Sequence, residues 1–247
     1  MEFWSPEWKA AELEALQAEW DGCDRCGLCD TRMNVVFGEG NPNADLLFIG
    51  EAPGEDEDED GSPMVGRGGN LFNAFLKMAG LERDDVYITN ILGCHPPKNR
   101  DPKKEEKAAC FERLYNIIYI VDPLLLIPVG KVALKVLASR DWGITDNRRR
   151  LFSSPHPQYR IPGDPNCAVV PGHIFPRTGD DKKKYLLEYD MIPIVHPAFI
   201  LRTDSFDEKK QQFEKDGWAD KTVDDLRYIV RFVEALKQEY KRYPRFI

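Results

Sequence analysis

ADLLFIGEAPG, residues 44–54, is the stretch on which the fold turns. Its first half is a continuous apolar run with no helical spacing, as expected of a strand buried on both faces. Its second half is a turn punctuated by Gly50 and Gly54. Three further runs repeat the pattern: VYITNIL (86–92), DPLLLIPVG (122–130) and MIPIVHP (191–197). Helical patterns separate them. NLFNAFLKMAG (70–80) sets Leu71, Phe75 and Met78 on one stripe closed by Gly80, and 103–121 and 131–140 are also helical. Ser5 as cap and Pro6 as first helical residue start a helix that delivers the chain to Cys23, and Thr222, with Asp225 three residues on, caps a last helix striped by Leu226, Ile229, Val230, Val233 and Leu236. Alternating strands and helices predict an α/β fold, a three-layer α/β/α sandwich with a central four-stranded parallel sheet. Ligands of such sheets sit at the carboxyl ends of the strands. The unusual residues fall there: GEAPG after the first run, Asn90 late in the second, His196 after the fourth.

Directly after the turn stand six acids, EDEDED (55–60), with Asp56, Asp58 and Asp60 in steps of two before Gly61. That is the first half of an EF-hand calcium loop, but the position that should supply a closing bidentate Glu is Arg67. The run therefore reads as a solvated acidic loop.

The 247 residues fit one domain able to bury a full core without disulfides, interrupted at about 141–190 by a Pro-, Gly-, Arg- and Asp-rich insertion that reads as a hairpin with irregular ends. No apolar run is long enough to cross a bilayer, and the acidic, amphipathic start is unlike a signal peptide, so a cytoplasmic location with no membrane contact is expected. The net charge of −8 argues against a general polyanion binder, while clusters such as NRRR (147–150) and PPKNRDPKK (96–104) leave room for a local basic groove. In a reducing compartment the six cysteines are candidates for metal binding or catalysis. CDRCGLCD (23–30) holds a C-x2-C-x2-C series, Cys94 ends the second apolar run and Cys110 lies on the next helix. Two-residue spacing lets both sulfurs face one ion. One set is Cys23, Cys26, Cys94 and Cys110, with Cys29 competing for a place and Cys167 a bystander; spacing leaves zinc and iron–sulfur both open.

Taken in order, CDRCGLCDTR, VVFGEGNPNADLLFIGEAPGEDED, GSPMVGRGG, VYITNILGCHPPKNRDPKKEEKAAC, VGKVALKVL and HPAFILR resemble the family-four uracil-DNA glycosylases, which carry a four-iron four-sulfur cluster. The resemblance implies that Cys23, Cys26, Cys94 and Cys110 hold the cluster and Cys29 does not. It implies hydrolysis of the N-glycosidic bond of deoxyuridine in single- or double-stranded DNA, by a monomer, with release of uracil and an abasic site in base excision repair. Gly50, Ala52, Glu57, Met64 and Asn90 would then line the uracil pocket. Asn90 is the reader of O4 and N3, since one amide offers both an acceptor and a donor. His196 would donate to O2, where charge gathers as the bond breaks, with Glu51 and Asn99 positioning water. Glu57 would crowd C5 against thymine. Ile200 and Leu201 would wedge into the gap left by the flipped base, with Arg202 on phosphate.

This chain departs from the family in Met64, where an aromatic residue usually stacks on the ring, and in the insertion before His196. Both leave two alternatives: a glycosylase for another modified pyrimidine, or a catalytically inactive DNA-binding homologue.

Overall fold

The computed structural model describes residues 4–138, 143–150, 152–156, 187–204, 206–207, 212–213 and 215–242. Helix α1 (Pro6–Trp20) starts as Ser5 Oγ accepts the Trp8 N–H at 3.2 Å. A 3₁₀ turn (Gly27–Asp30) follows, then β1 (Glu39–Gly40), β2 (Leu46–Gly50), α2 (Glu55–Asp60), α3 (Gly66–Met78), β3 (Tyr87–Asn90), α4 (Lys104–Val121), β4 (Leu125–Pro128) and α5 (Lys131–Leu137). Beyond them come β5 (Phe152–His156), β6 (Leu187–Met191), α6 (Pro197–Thr203), the short pair β7 (Phe206–Asp207) and β8 (Gln212–Phe213), and α7 (Trp218–Arg242).

The sheet order is β1-β3-β2-β4-β6-β5. The inner four strands, β3, β2, β4 and β6, are parallel, as expected; β1 and β5 add an antiparallel strand at each edge. Register sorts the side chains into two cores. Leu47 pairs with Tyr87 and Leu126, and all three face a core shared with α1, α4 and α5. Phe48 pairs with Ile88 and Ile127, which face the opposite core with α3, α6 and α7. A two-residue side-chain period in strands covered on both faces gives three layers.

Several local expectations are corrected. The six acids are not a loop but α2. Its first turn places Glu55 to Asp58 at the positive end of the helix dipole, and Gly61 ends it in the left-handed region at φ 86°. Helical winding also puts Asp58 on the face away from Asp56 and Asp60, so the three cannot ligate one ion in EF-hand fashion. Helix α3 begins four residues earlier than the apolar stripe suggests, and its buried residues are Phe72, Phe75 and Leu76, while Met78 is exposed. Thr222 is not a cap: it lies inside α7 and its hydroxyl donates back to the Trp218 carbonyl at 2.7 Å. The Asp204 carboxylate instead takes the Ala219 N–H at 2.8 Å.

The fourth apolar run is displaced as well. Strand β6 ends at Met191, where that run begins, although the ladder continues as Ile192 and Ile194 donate to the carbonyls of Leu126 and Pro128. The strand itself is the second arm of a hairpin, paired with β5 from Phe152↔Met191 to His156↔Leu187. Most of the expected insertion, including Cys167, lies outside the described residues. Its described start is not a free basic surface. The Arg148 and Arg149 side chains converge on the fully buried Asp225 of α7, at 2.7 and 2.8 Å.

Candidate active site

The carboxyl ends of the parallel strands gather the candidate residues. Asn90, 3 % exposed, ends β3; Gly50, its register partner, ends β2. A Cβ built on Gly50 would lie 2.2 Å from Asn90 Oδ1 and 2.8 Å from Met64 Cε, so glycine is needed for these two side chains to meet over the strand end. Met64 is buried with a left-handed backbone at φ 51°. Its turn is fastened by Arg83, whose guanidinium donates to the carbonyls of Pro63 and Met64, to Asn73 Oδ1 at 2.8 Å and to Glu39. A residue in this sparsely populated region persists only where its surroundings over-determine it.

His196 stands on the other side. It follows the β6 ladder, caps α6 and packs on Gly130, where φ is 94° and a Cβ would lie 3.1 Å from His196 Cβ. Its Nδ1 accepts the Ala198 N–H at 3.1 Å, which leaves the proton of the neutral ring on Nε2. The residue is half-buried, with its ring packed on Gly130. That burial, followed by the nearby Arg202, brings its pKa from 6.5 to about 4. The imidazole is thus a neutral donor at physiological pH.

Strands β2 and β4 lie between the strands of Asn90 and His196, so the two backbones are separated by three strand spacings, roughly 14 Å. Between them β2 ends at Gly50, and Gly130 follows two residues after the end of β4 with its N–H donating to the Ile194 carbonyl at 3.0 Å. The side chains of Asn90 and Met64 lie over the first glycine and that of His196 over the second.

The other candidates are distributed around this frame. Glu51 and Glu57 are half-buried, and burial raises both carboxyl pKa values; Asp101 adds to the effect at Glu51 while Lys107 opposes it. The Glu57 carboxylate accepts the Gly54 N–H at 2.9 Å at the start of α2. Ala52 is half-buried beside Glu51. Asn99 is exposed, with a left-handed backbone at φ 53°, and its Oδ1 lies 2.9 Å from His95 Nε2. His95 in turn faces Asp58, Nδ1 to Oδ2 3.8 Å, and the Asp58 carboxylate accepts the N–H groups of Met33 and Asn34. Sequence reasoning missed this Asp58–His95–Asn99 chain, because nothing in an acidic run marks which acid is buried.

The wedge assignment divides. Ile200 is 0 % exposed in the core against α3 and α7, so it is not available to enter a base stack. Leu201 is half-buried and Arg202 exposed on the same turn. A cavity of about 420 Å³ lined by Glu39, Gly40, Asn41, Arg83 and Asp84 lies at the opposite end of β3, where Gly40 pairs with Tyr87, and holds none of the candidate groups.

The cysteines form a second centre. Cys94 and Cys110 are buried and Cys23 and Cys26 pack against the same core. Burial, then Cys110, with a smaller contribution from Cys23, pushes the Cys94 thiol up to about 12. Burial raises Cys26 too, again with Cys110 and Cys23 opposing its charge. Cys29 lies outside that core, and its thiol donates to Asp30 Oδ1 at 3.6 Å. Four soft sulfur donors crowded in this way suit an iron–sulfur cluster or zinc. Among the described residues, no three His, Cys, Asp or Glu side chains are already set around one point at ligand geometry. Arg25 binds the loop between Cys23 and Cys26 to Glu112 of α4 and stacks on Trp20, and Arg32 reaches Cys94 Sγ at 3.6 Å.

The fold is a three-layer α/β sandwich with its candidate groups gathered at the carboxyl ends of the parallel strands. The model of the uracil DNA glycosylase superfamily matches residues 37–221, and the chain belongs to that superfamily. Over 129 residues (52 % of the chain, 59 % of the relative) it is 43 % identical to the type-4 uracil-DNA glycosylase of Sulfurisphaera tokodaii. Identity to the type-4 uracil-DNA glycosylase of Thermotoga maritima is 46 % over 122 residues, 49 % of the chain and 64 % of the relative. For that of Archaeoglobus fulgidus it is 42 % over 125 residues, 51 % of the chain and 63 % of the relative. The matched region thus spans about three fifths of each of these relatives. Among the described residues no helix is long and apolar enough to cross a membrane.

Proposed function

We propose that this chain, one domain carrying the 141–190 insertion, hydrolyses the N-glycosidic bond of deoxyuridine in DNA. The observation that carries this reading is the placement of Asn90 at the end of β3 and His196 beyond β6, on the carboxyl side of the parallel strands, with Gly50 and Gly130 between them. A flipped base read from opposite edges needs two such groups.

In this reading the Asn90 amide donates to O4 and accepts N3–H, which cytosine, with an amino group at position 4, cannot match. Met64 covers the ring with a polarizable thioether. As the N1–C1′ bond breaks, its electron pair stays on uracil, and charge gathers on O2 opposite His196 Nε2–H. A neutral donor with a low pKa can stabilise that anion without giving up a proton beforehand. The backbone N–H groups of Glu51 and Ala52 add further donors. Water attacks C1′, positioned by Glu51 and Asn99, and the products are uracil and an abasic site. Glu57 guards C5, Leu201 fills the vacated stack and Arg202 holds phosphate. Cys23, Cys26, Cys94 and Cys110 hold a four-iron four-sulfur cluster, with zinc the alternative occupant. When bound, the cluster supplies a cross-link between the loop after α1, the loop after β3 and α4.

The test is release of free base from oligonucleotides carrying uracil or other modified pyrimidines. Uracil release that collapses in His196→Ala is expected; intact uracil DNA under iron-loaded protein would refute the proposal. Met64 favours keeping a second reading, excision of another modified pyrimidine, and preferential release of such a base on the same panel would establish it.

A further inference from the structure

Arg113 is fully buried, at 0 % exposure, three residues along α4 from Cys110. A guanidinium is always a cation, and a buried one is ordinarily matched by a carboxylate. Among the described residues no carboxylate forms an ion pair with Arg113. Its partners are neutral oxygens: Nη1 donates to the Phe37 carbonyl at 2.6 Å and Thr89 Oγ1 at 3.2 Å, and Nη2 to the Asn90 carbonyl at 2.6 Å. Nε has no partner among the described residues, and Gly93 leaves the room the group needs, since a Cβ there would lie 3.1 Å from Nε. Leaving a cation unpaired and one donor unsatisfied costs stability, so the arrangement calls for a return elsewhere.

The contacts indicate what that return is. Asn90 is the last residue of β3, although the N–H groups of Ile91 and Leu92 still donate to the carbonyls of Gly50 and Glu51. The Asn90 carbonyl takes the Arg113 guanidinium as a charged partner. Thr89 and Asn90 are fixed by one planar fork carried on the helix of Cys110. We propose that Arg113 is a positioning residue for base recognition: it holds the Asn90 backbone, and through it the amide that reads the base, in a fixed orientation relative to α4 and its cysteine. This rests on Asn90 reading the base, as proposed above.

Arg113→Lys keeps a cation but has no fork to hold two oxygens at once. With iron content and melting temperature close to wild type, it is expected to lower kcat for uracil release by about 10- to 100-fold, the scale of a misplaced reacting group, with little change in KM. In an Asn90→Ala background the same substitution is expected to cost less than about twofold, because residues acting as a unit are not additive. Activity of Arg113→Lys within about twofold of wild type, or an equal loss in both backgrounds, would overturn the proposal and leave Arg113 a purely structural residue. Full activity of Asn90→Ala alone would instead overturn the assignment of Asn90, a separate result. If Arg113→Lys loses its fold or its iron, Gly93→Ala gives the same readout with the cation intact: at least about a fivefold loss supports the proposal, and wild-type kcat in folded protein overturns it.

Discussion

Gly50 and Asn90 occupy one register position on neighbouring strands, and a single methyl on the first would lie 2.2 Å from the amide oxygen of the second. The strand end is therefore cut to the shape of the Asn90 side chain. Gly50→Ala is expected to displace that amide and the Met64 methyl together, lowering kcat/KM for uracil release by about 100-fold or more while the far-ultraviolet circular dichroism stays unchanged. Wild-type kinetics in a folded Gly50→Ala variant would show that Asn90 does not need its observed position.

The pKa of His196, near 4 in the fold against 6.5 for an unhindered ring, gives two pH predictions. Between those values the unfolded chain takes up a proton that the native ring refuses, so stability rises with pH from about 4 to about 6.5 and this contribution is complete above that window. Denaturant titrations of the wild type and His196→Gln should diverge in slope only there. Activity should hold down to about pH 5 and fall as the ring charges near 4. A rate that falls already through 6.5 would mean an imidazole with ordinary titration.

Cys29→Ser is expected to retain iron and acid-labile sulfide at wild-type stoichiometry, whereas Cys110→Ser should lose both, together with absorbance near 400 nm. The expectation follows from placement, since Cys94 and Cys110 are buried in one core against which Cys23 and Cys26 pack, while Cys29 lies outside it with its Sγ donating to Asp30 Oδ1 at 3.6 Å. Zinc by elemental analysis with the same variant pattern would keep the ligand set and replace the cluster.

Arg83→Ala should act on Met64 from a distance. Removing charge-assisted hydrogen bonds to the carbonyls of Pro63 and Met64 and to Asn73 is expected to cost about 2 kcal/mol of unfolding free energy. The freed turn should also raise KM severalfold for uracil DNA. Unchanged KM would mean that the Met64 turn holds without its clamp.

The sandwich was legible because it rests on continuous apolar runs between helical patterns, which Leu46–Gly50 and Leu125–Pro128 display plainly. What periodicity cannot register is a helix with no apolar residue. Helix α2 is held by its dipole, the Gly54–Glu57 hydrogen bond and the Gly61 stop, none of which alters the hydrophobic pattern. Ile200 failed for a related reason: in the seven-residue α6 two positions, Pro197 and Ile200, turn inward, and only the packing of α6 against α3 and α7 decides which. Asn90 and His196 are candidates that motif resemblance supplies, while Arg113, one arginine among many on helical patterns, carries no mark of its burial.

The antiparallel pair that ends at His156↔Leu187 acts as a socket. Entry and exit of the intervening residues, 157–186, are fixed side by side, so their number can change without shifting the strand that leads on to His196. Exchange of that stretch for a two-residue turn, or for a foreign module, is expected to leave the pairing of β5 with β6 and of β6 with β4 in place.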